Sequence, residues 1–314
     1  MTDFISAARF DGWLDTSDLP RKRPGIAYFA PDGSRQTLDL YYPDRGDGPF
    51  PVIINIASGA WYFGHPSSSH LGGQVRAAVE RGYAFVSMAC ASSKDKKFPY
   101  QLQEVNCVLR YLMANAADLK LDPGFIAFWS SSSGAHLSLM AALTQGEPFY
   151  DAPAPEGPCP RIAAVAALYP CCRLDATEED YRSVGLEPAA LRSGPRCAES
   201  IFLGVENVHD HPDLVRLSSP THQIKVGTPP VMLLHGTGDD VLVYTLTLEF
   251  ARRSREVIGP ENVLTKFISG AGHSAPCFKG EAVCGEVLDF MDRVRLGKTP
   301  CPPELQGVDD PIEL

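Results

Sequence analysis

The stretch Ile126-Ala127-Phe128-Trp129-Ser130-Ser131-Ser132-Ser133-Gly134-Ala135-His136-Leu137 decides how the rest of the chain is read. An apolar run stops at four serines and a glycine, and helix formers follow. By period this is a strand, a very tight turn and a helix. A serine at such a turn can stand above the end of a parallel sheet, where a substrate reaches it. Taken alone, the same run reads equally well as a Ser-rich loop capping a helix. The flanking sequence has to choose.

Upstream, Phe50-Pro51-Val52-Ile53-Ile54-Asn55-Ile56 and Tyr83-Ala84-Phe85-Val86-Ser87-Met88 are continuous apolar runs, as in strands buried on both faces. The spacing predicts helices over 70–81 and 100–119, the second through Leu102, Val105, Val108, Leu109 and Leu112. Downstream, Ile162–Tyr169, Pro230–Gly236 and Val263–Ile268 are strand candidates, with helical patterns at 245–257 and 280–295. Strand and helix in alternation predict an α/β fold, a mostly parallel sheet with helices on both faces. Gly25–Phe29 and Thr37–Tyr42 flank Pro31-Asp32-Gly33, a hairpin signal that opens the domain. The domain is expected over 25–296, after an N-terminal arm at 1–24 and before a loose, Pro-rich, acidic tail at 297–314. Residues 171–222 break the alternation and read as a cap-like insertion over the site.

Composition narrows the function. Of 314 residues, 44% are hydrophobic and 21% charged, which suits a globular protein with ample core. A net charge of −10 repels nucleic acid and anionic lipid, so neither is an expected partner. Met1–Ser6 lacks the basic start and apolar core of a signal peptide, and no apolar run is long enough to span a bilayer. The nine cysteines are scattered, and the adjacent Cys171-Cys172 pair suits neither a disulfide staple nor a zinc motif. Free thiols in the cytoplasm are the expectation. His209-Asp210-His211 has no third ligand set at metal-binding spacing, so it reads as a solvated cap loop rather than a metal site. A homo-oligomer is compatible with the sequence, which carries no signal of its assembly.

A serine hydroxyl needs a base, usually a histidine that a carboxylate orients. Sheets of this class place such groups just beyond the carboxyl ends of their strands. Asp239 lies in the Gly-punctuated loop after Leu233-Leu234-His235-Gly236, and His273 follows Phe267-Ile268-Ser269-Gly270-Ala271-Gly272. The order Ser132, Asp239, His273 is the one a nucleophile on a strand-to-helix turn requires. Ser131 and Ser133 are the neighbouring alternatives to Ser132. Asp240 is the neighbouring alternative for the acid. His136 reads as a structural hydrogen bond four residues along the helix, and His235 as a brace for the acid loop.

The serine stretch, Ala57-Ser58-Gly59-Ala60-Trp61, Lys97-Phe98-Pro99, the His235–Asp239 loop and Gly270-Ala271-Gly272-His273 together resemble a family. They look like the α/β-hydrolase esterases and lipases of the hormone-sensitive-lipase-like kind, especially bacterial feruloyl or acetyl esterase-like members. The resemblance runs from about Leu38 to Asp292, weakest in the cap, and implies a central sheet of about eight strands. It also implies an oxyanion hole from the amides of Gly59, Ala60 and Ser133, with Trp61 and Tyr62 lining the acyl pocket or packing in the core. Three departures stand out. Ser130 and Ala135 replace glycines of the family's Gly-x-Ser-x-Gly-Gly elbow, while Gly134 is kept, and by that match the resemblance implies Ser132 as the nucleophile rather than Ser131 or Ser133. Ala57-Ser58-Gly59-Ala60 replaces His-Gly-Gly-Gly, and Ala89-Cys90-Ala91 stands where many relatives carry Asn-Tyr-Arg.

The function expected from this constellation is a serine carboxylesterase acting on a small-molecule ester through an acyl-enzyme, with no metal or organic cofactor. An amidase, formamidase or peptidase on the same triad is the second reading. A non-catalytic binding protein on a hydrolase fold is the third, motivated by the departures around the elbow.

Overall fold

Val52, Ile54 and Ile56 enter one core and Ile53 another, yet all four are fully buried. The same split recurs in the next parallel strand, where Ile126 and Phe128 face one core and Ala127 and Trp129 the other. Strands apolar on both faces need a cover on both faces. In the computed structural model, which describes residues 12–68, 71–151 and 157–313, helices supply it.

The strands are β1 (Lys22–Phe29), β2 (Arg35–Tyr41), β3 (Phe50–Ile56), β4 (Ala84–Met88), β5 (Leu121–Ser131), β6 (Ile162–Leu168), β7 (Val231–Gly236) and β8 (Val263–Ile268). They form one sheet in the order β1-β2-β4-β3-β5-β6-β7-β8. The hairpin β1–β2 is antiparallel and joins β4 antiparallel, while β4-β3-β5-β6-β7-β8 is parallel throughout. Helix α1 (Gly72–Glu80) packs on one face, and α2 (Tyr100–Ala114) and α3 (Ser132–Leu143) pack on the other. Every residue of α3 is buried, which explains why its sequence is small or apolar all round. After β6 the chain leaves the sheet through the short helices α4 (Glu178–Arg182), α5 (Ala198–Leu203) and α6 (Pro212–Ser218). Helix α7 (Tyr244–Ile258) then joins the α2–α3 face, and α8 (Glu281–Arg295) joins α1.

The strand order turns between β3 and β5, because β4 follows β3 to one side and β6 to β8 follow β5 to the other. A crevice opens outside the carboxyl ends of the strands at such a point. Ser132 directly follows β5, and the Ala57–Phe63 loop directly follows β3.

Three boundaries differ from the sequence reading. Residues 1–11 of the expected arm lie outside the described residues, and β1 already starts at Lys22. The helix expected to reach 119 ends at Ala114, where Asn115 Nδ2 donates to the Tyr111 carbonyl (2.8 Å) and competes with the next turn. The expected loose tail runs beside β8: Ile312 N–H donates to the Phe267 carbonyl (2.9 Å), Ser269 N–H to the Ile312 carbonyl (2.8 Å), and Arg255 pairs with Asp309 (2.7 Å). All nine cysteines are free. Among the described residues no helix is long and apolar enough to cross a membrane.

Candidate active site

Ser132 has φ +52°, a left-handed backbone that lifts its side chain out of the turn between β5 and α3. That turn presses α3 against the end of β3. A Cβ on Gly134 would stand 2.0 Å from the Ile56 carbonyl oxygen, so no other residue fits. Ser130 turns its departure from glycine into a bond: its Oγ accepts the Ile56 N–H (3.0 Å) and lies 2.8 Å from Ser138 Oγ. Ala135 is accommodated as a fully buried core residue.

Of the four serines, Ser132 is the one whose Oγ meets His273, 3.0 Å from Nε2. His273 Nδ1 is 2.8 Å from Asp239 Oδ2. The other carboxylate oxygen, Oδ1, accepts the amides of Val241 (2.9 Å) and Leu242 (2.8 Å). Burial pushes the Asp239 carboxyl up, but the His273 charge and hydrogen bonds from His235 and His273 outweigh it and hold the group below the usual carboxylate range. Asp240, one residue on, is exposed, and its carbonyl accepts the Ala189 N–H (2.8 Å). His235 is buried as the expected brace, with Nδ1 2.8 Å from Thr247 Oγ1 and Nε2 2.8 Å from the Leu242 carbonyl. The acid and histidine loops meet backbone to backbone. A Cβ on Gly236 would fall 2.0 Å from the Ala271 carbonyl oxygen, which accounts for glycine at the strand end.

The loop after β3 departs from expectation at one donor. Gly59 N–H donates to Ser133 Oγ (3.1 Å), so this amide is already committed, because the neighbouring hydroxyl offers a nearer acceptor. Ala60 and Trp61 both hold positive φ, +53° and +58°. Support for this loop comes from the residues after β4. Ser93 N–H donates to the Trp61 carbonyl (2.8 Å) and Ser92 Oγ to the Tyr62 carbonyl (2.8 Å). Helix α2 holds that segment in turn: Glu104 Oε2 accepts the Ala91 N–H (2.7 Å), and Gln101 Nε2 donates to the carbonyls of Ala91 (3.2 Å) and Lys96 (2.8 Å). Trp61 is buried, donates to His136 Nδ1 (3.0 Å) and stacks on Phe202, with centroids 4.6 Å apart. His136 Nε2 faces the Ser218 carbonyl at 2.7 Å, and burial pushes its pKa down to about 4, so it is a neutral relay in the core.

A cleft beside Ser132 is lined by Ala60, Trp61, Ser133, Arg192, Glu199 and Leu242, among others. It is a small cleft. Arg192 and Glu199 come to it from the segment between β6 and β7. Tyr62 does not line this cleft. It is half-buried and packs edge-on against Phe63. His209 Nε2 lies 2.8 Å from the Arg192 carbonyl, which gives the His209-Asp210-His211 run a structural role in the cap.

The sequence profile of the BD-FAE family matches residues 38–253, well over half of the chain. The chain belongs to the BD-FAE family. It is similar to esterase LipC of Mycobacterium tuberculosis, 27% identical over 274 residues that cover 85% of this chain and 60% of LipC. It is also similar to the isoprenylcysteine alpha-carbonyl methylesterase ICME of Arabidopsis thaliana, 26% identical over 215 residues, 66% of this chain and 47% of that protein. The BD-FAE chain thus spans at most about three-fifths of the length of these relatives. Among solved structures it resembles a truncated carbohydrate esterase from gut microbiota (TM-score 0.76, 20% identity, 91% of this chain and 100% of that one). A Thermogutta terrifontis esterase with propionate bound aligns with TM-score 0.62 and 21% identity, over 89% of this chain and 93% of that one. The fold is the α/β-hydrolase fold.

Several residues that shape the site of this BD-FAE member left no readable signal in the sequence. Tyr169, directly after β6, has φ +38° and packs edge-on against His273, centroids 4.8 Å apart. Glu104, Arg192 and Glu199 look like ordinary surface charges in the sequence, yet each is buried.

Proposed function

We propose that this protein is a serine carboxylesterase with Ser132 as nucleophile, His273 as general base and acid, and Asp239 as the group that orients His273. The observation that carries the reading is the unbroken line from Ser132 Oγ to His273 Nε2 (3.0 Å) and from His273 Nδ1 to Asp239 Oδ2 (2.8 Å). With its Nδ1 proton held by Asp239, His273 keeps Nε2 free to take the hydroxyl proton as Ser132 attacks the ester carbonyl. The tetrahedral oxyanion is held by the amides of Ala60 and Ser133. A donor of this kind contributes about 3 kcal/mol to the barrier. His273 then gives the proton to the departing alcohol, and water it activates releases the acid from the acyl-enzyme. Membership of the BD-FAE family and likeness to named esterases support the reaction class.

The test is fluorophosphonate labelling run beside hydrolysis of 4-nitrophenyl acetate. Both should be present in the parent chain and lost in Ser132→Ala, while His273→Ala should lose hydrolysis. Labelling that persists without Ser132 overturns the assignment. An anilide of the same acyl group, run in parallel, separates ester from amide hydrolysis.

A further inference from the structure

Arg192 is 6% exposed and Glu199 4%, and both line the cleft that holds Ser132. A guanidinium carries five N–H donors. Here Nε donates to the Ala190 carbonyl (3.3 Å), and Nη1 serves Tyr181 Oη (2.9 Å), the Val241 carbonyl (3.3 Å) and Glu199 Oε1 (3.4 Å). Among the described residues no hydrogen bond of Arg192 uses Nη2. Glu199 Oε2 accepts the Cys197 thiol (2.8 Å), and each carboxylate oxygen has a second lone pair to offer. Arg192, with a donor nitrogen to spare, and Glu199, with acceptor capacity to spare, are thus paired and both line the cleft.

The cleft also tells which half of an ester it receives. His273 gives its proton to the departing alcohol, so the alcohol lies against His273. The residues lining this cleft include Ser132, Ser133 and Ala60 but not His273. It is the acyl side.

We propose that Arg192 and Glu199 form an acyl-side subsite that reads an uncharged hydroxyl or carboxamide on a short acyl group and turns away a carboxylate. The proposal rests on the serine-esterase reading of Ser132. A carboxamide matches both partners: its oxygen accepts from Nη2 and its N–H donates to Glu199. A carboxylate does not match them. The two-pronged grip that normally favours it needs a second guanidinium nitrogen, and Nη1 and Nε are already engaged. Its other oxygen would face the Glu199 carboxylate with little water between them, and like charges repel strongly there. An alkyl group of the same shape would leave both buried polar groups without a partner.

The experiment measures kcat/KM on three ethyl esters of matched shape: ethyl malonamate, monoethyl malonate and ethyl 3-methylbutanoate. Release of 4-nitrophenol from 4-nitrophenyl acetate reports separately on the Ser132 reading. The parent chain should prefer the carboxamide to each of the others by about tenfold or more, the scale of one hydrogen bond to a charged group. Arg192→Lys should bring the carboxamide-to-alkyl ratio within about threefold. Glu199→Gln leaves the guanidinium charge unbalanced, and should raise the carboxylate ester relative to the carboxamide. A purely structural pair would not produce that reversal. If the parent chain hydrolyses nitrophenyl acetate but treats the three esters alike, favours the alkyl or carboxylate ester, or turns over none of them, the subsite is refuted and the hydrolase reading stands. If nitrophenyl acetate is not hydrolysed either, the reading of Ser132 fails first.

Discussion

At the residue scale, Asp239 is the group whose environment is most specific. It is fully buried, yet two backbone amides and two imidazoles surround it, so its charge is kept where burial alone would remove it. Asp239→Asn preserves shape and most hydrogen bonds but turns the side chain toward the wrong tautomer of His273. The expected outcome is a fall in kcat of about 10³–10⁴-fold at pH 7.5 with an unchanged far-ultraviolet circular dichroism spectrum. Ser130 teaches a different lesson at the same scale. The residue that stands in place of the family's elbow glycine satisfies the Ile56 amide, a donor that burial would otherwise make costly.

At the element scale, α2 is more than a cover for the sheet. Its Glu104 and Gln101 grip the segment after β4, and that segment grips the loop that faces Ser132. Burial pushes the Glu104 carboxyl up to about 7, against hydrogen bonds from the Ala91 amide and the Tyr28 hydroxyl that lower it. A folded-state pKa above the ordinary 4.5 means that the folded chain binds this proton more tightly than the unfolded one. The stability it contributes is therefore full below pH 4.5 and is lost as pH rises through 7. Glu104→Gln removes this titration. Urea unfolding at pH 4.5 and 7.5 should show the variant gaining on the parent chain by roughly 2–3 kcal/mol between the two. A constant difference across that window would refute the assignment.

At the scale of the whole molecule, the sheet has two edges and manages them differently. β1 ends one side with Lys22 and Arg23 on it, charges that discourage pairing with another chain. β8 ends the other side, and there the C-terminal segment lies alongside through Ile312, anchored by Asp309 on Arg255 and Thr265. Ending the chain at Gln306 removes that cover. The truncated protein should unfold roughly 3–6 °C lower, and light scattering should show it self-associating as the freed edge finds a partner. A monodisperse, equally stable truncation would show that the segment does not protect the edge. The insertion between β6 and β7 also acts at this scale. Tyr181 and Arg192 both donate to the Val241 carbonyl, so the cap is tied to the loop that carries Asp239.

The sequence by itself determined the alternation of strands and helices, the parallel sheet and the order of Ser132, Asp239 and His273. Each of these rests on periods and spacings within about ten residues, and burial on both faces of a strand writes itself directly into an apolar run. The glycine at 134 was legible as well, because its spacing from Ser132 is that of a nucleophile elbow. Tertiary structure alone decided the rest. Ser133 takes the Gly59 amide from the loop after the neighbouring strand, Glu104 reaches Ala91 from a different element, Arg192 and Glu199 arrive from the segment between β6 and β7, and the tail finds β8. In these cases a polar side chain meets a partner in another element or loop, and a single charged or polar residue looks the same in a sequence whether it faces water or a buried partner. The nucleophile is local and readable. What faces it is assembled from four other parts of the chain, and only their packing brings them to one place.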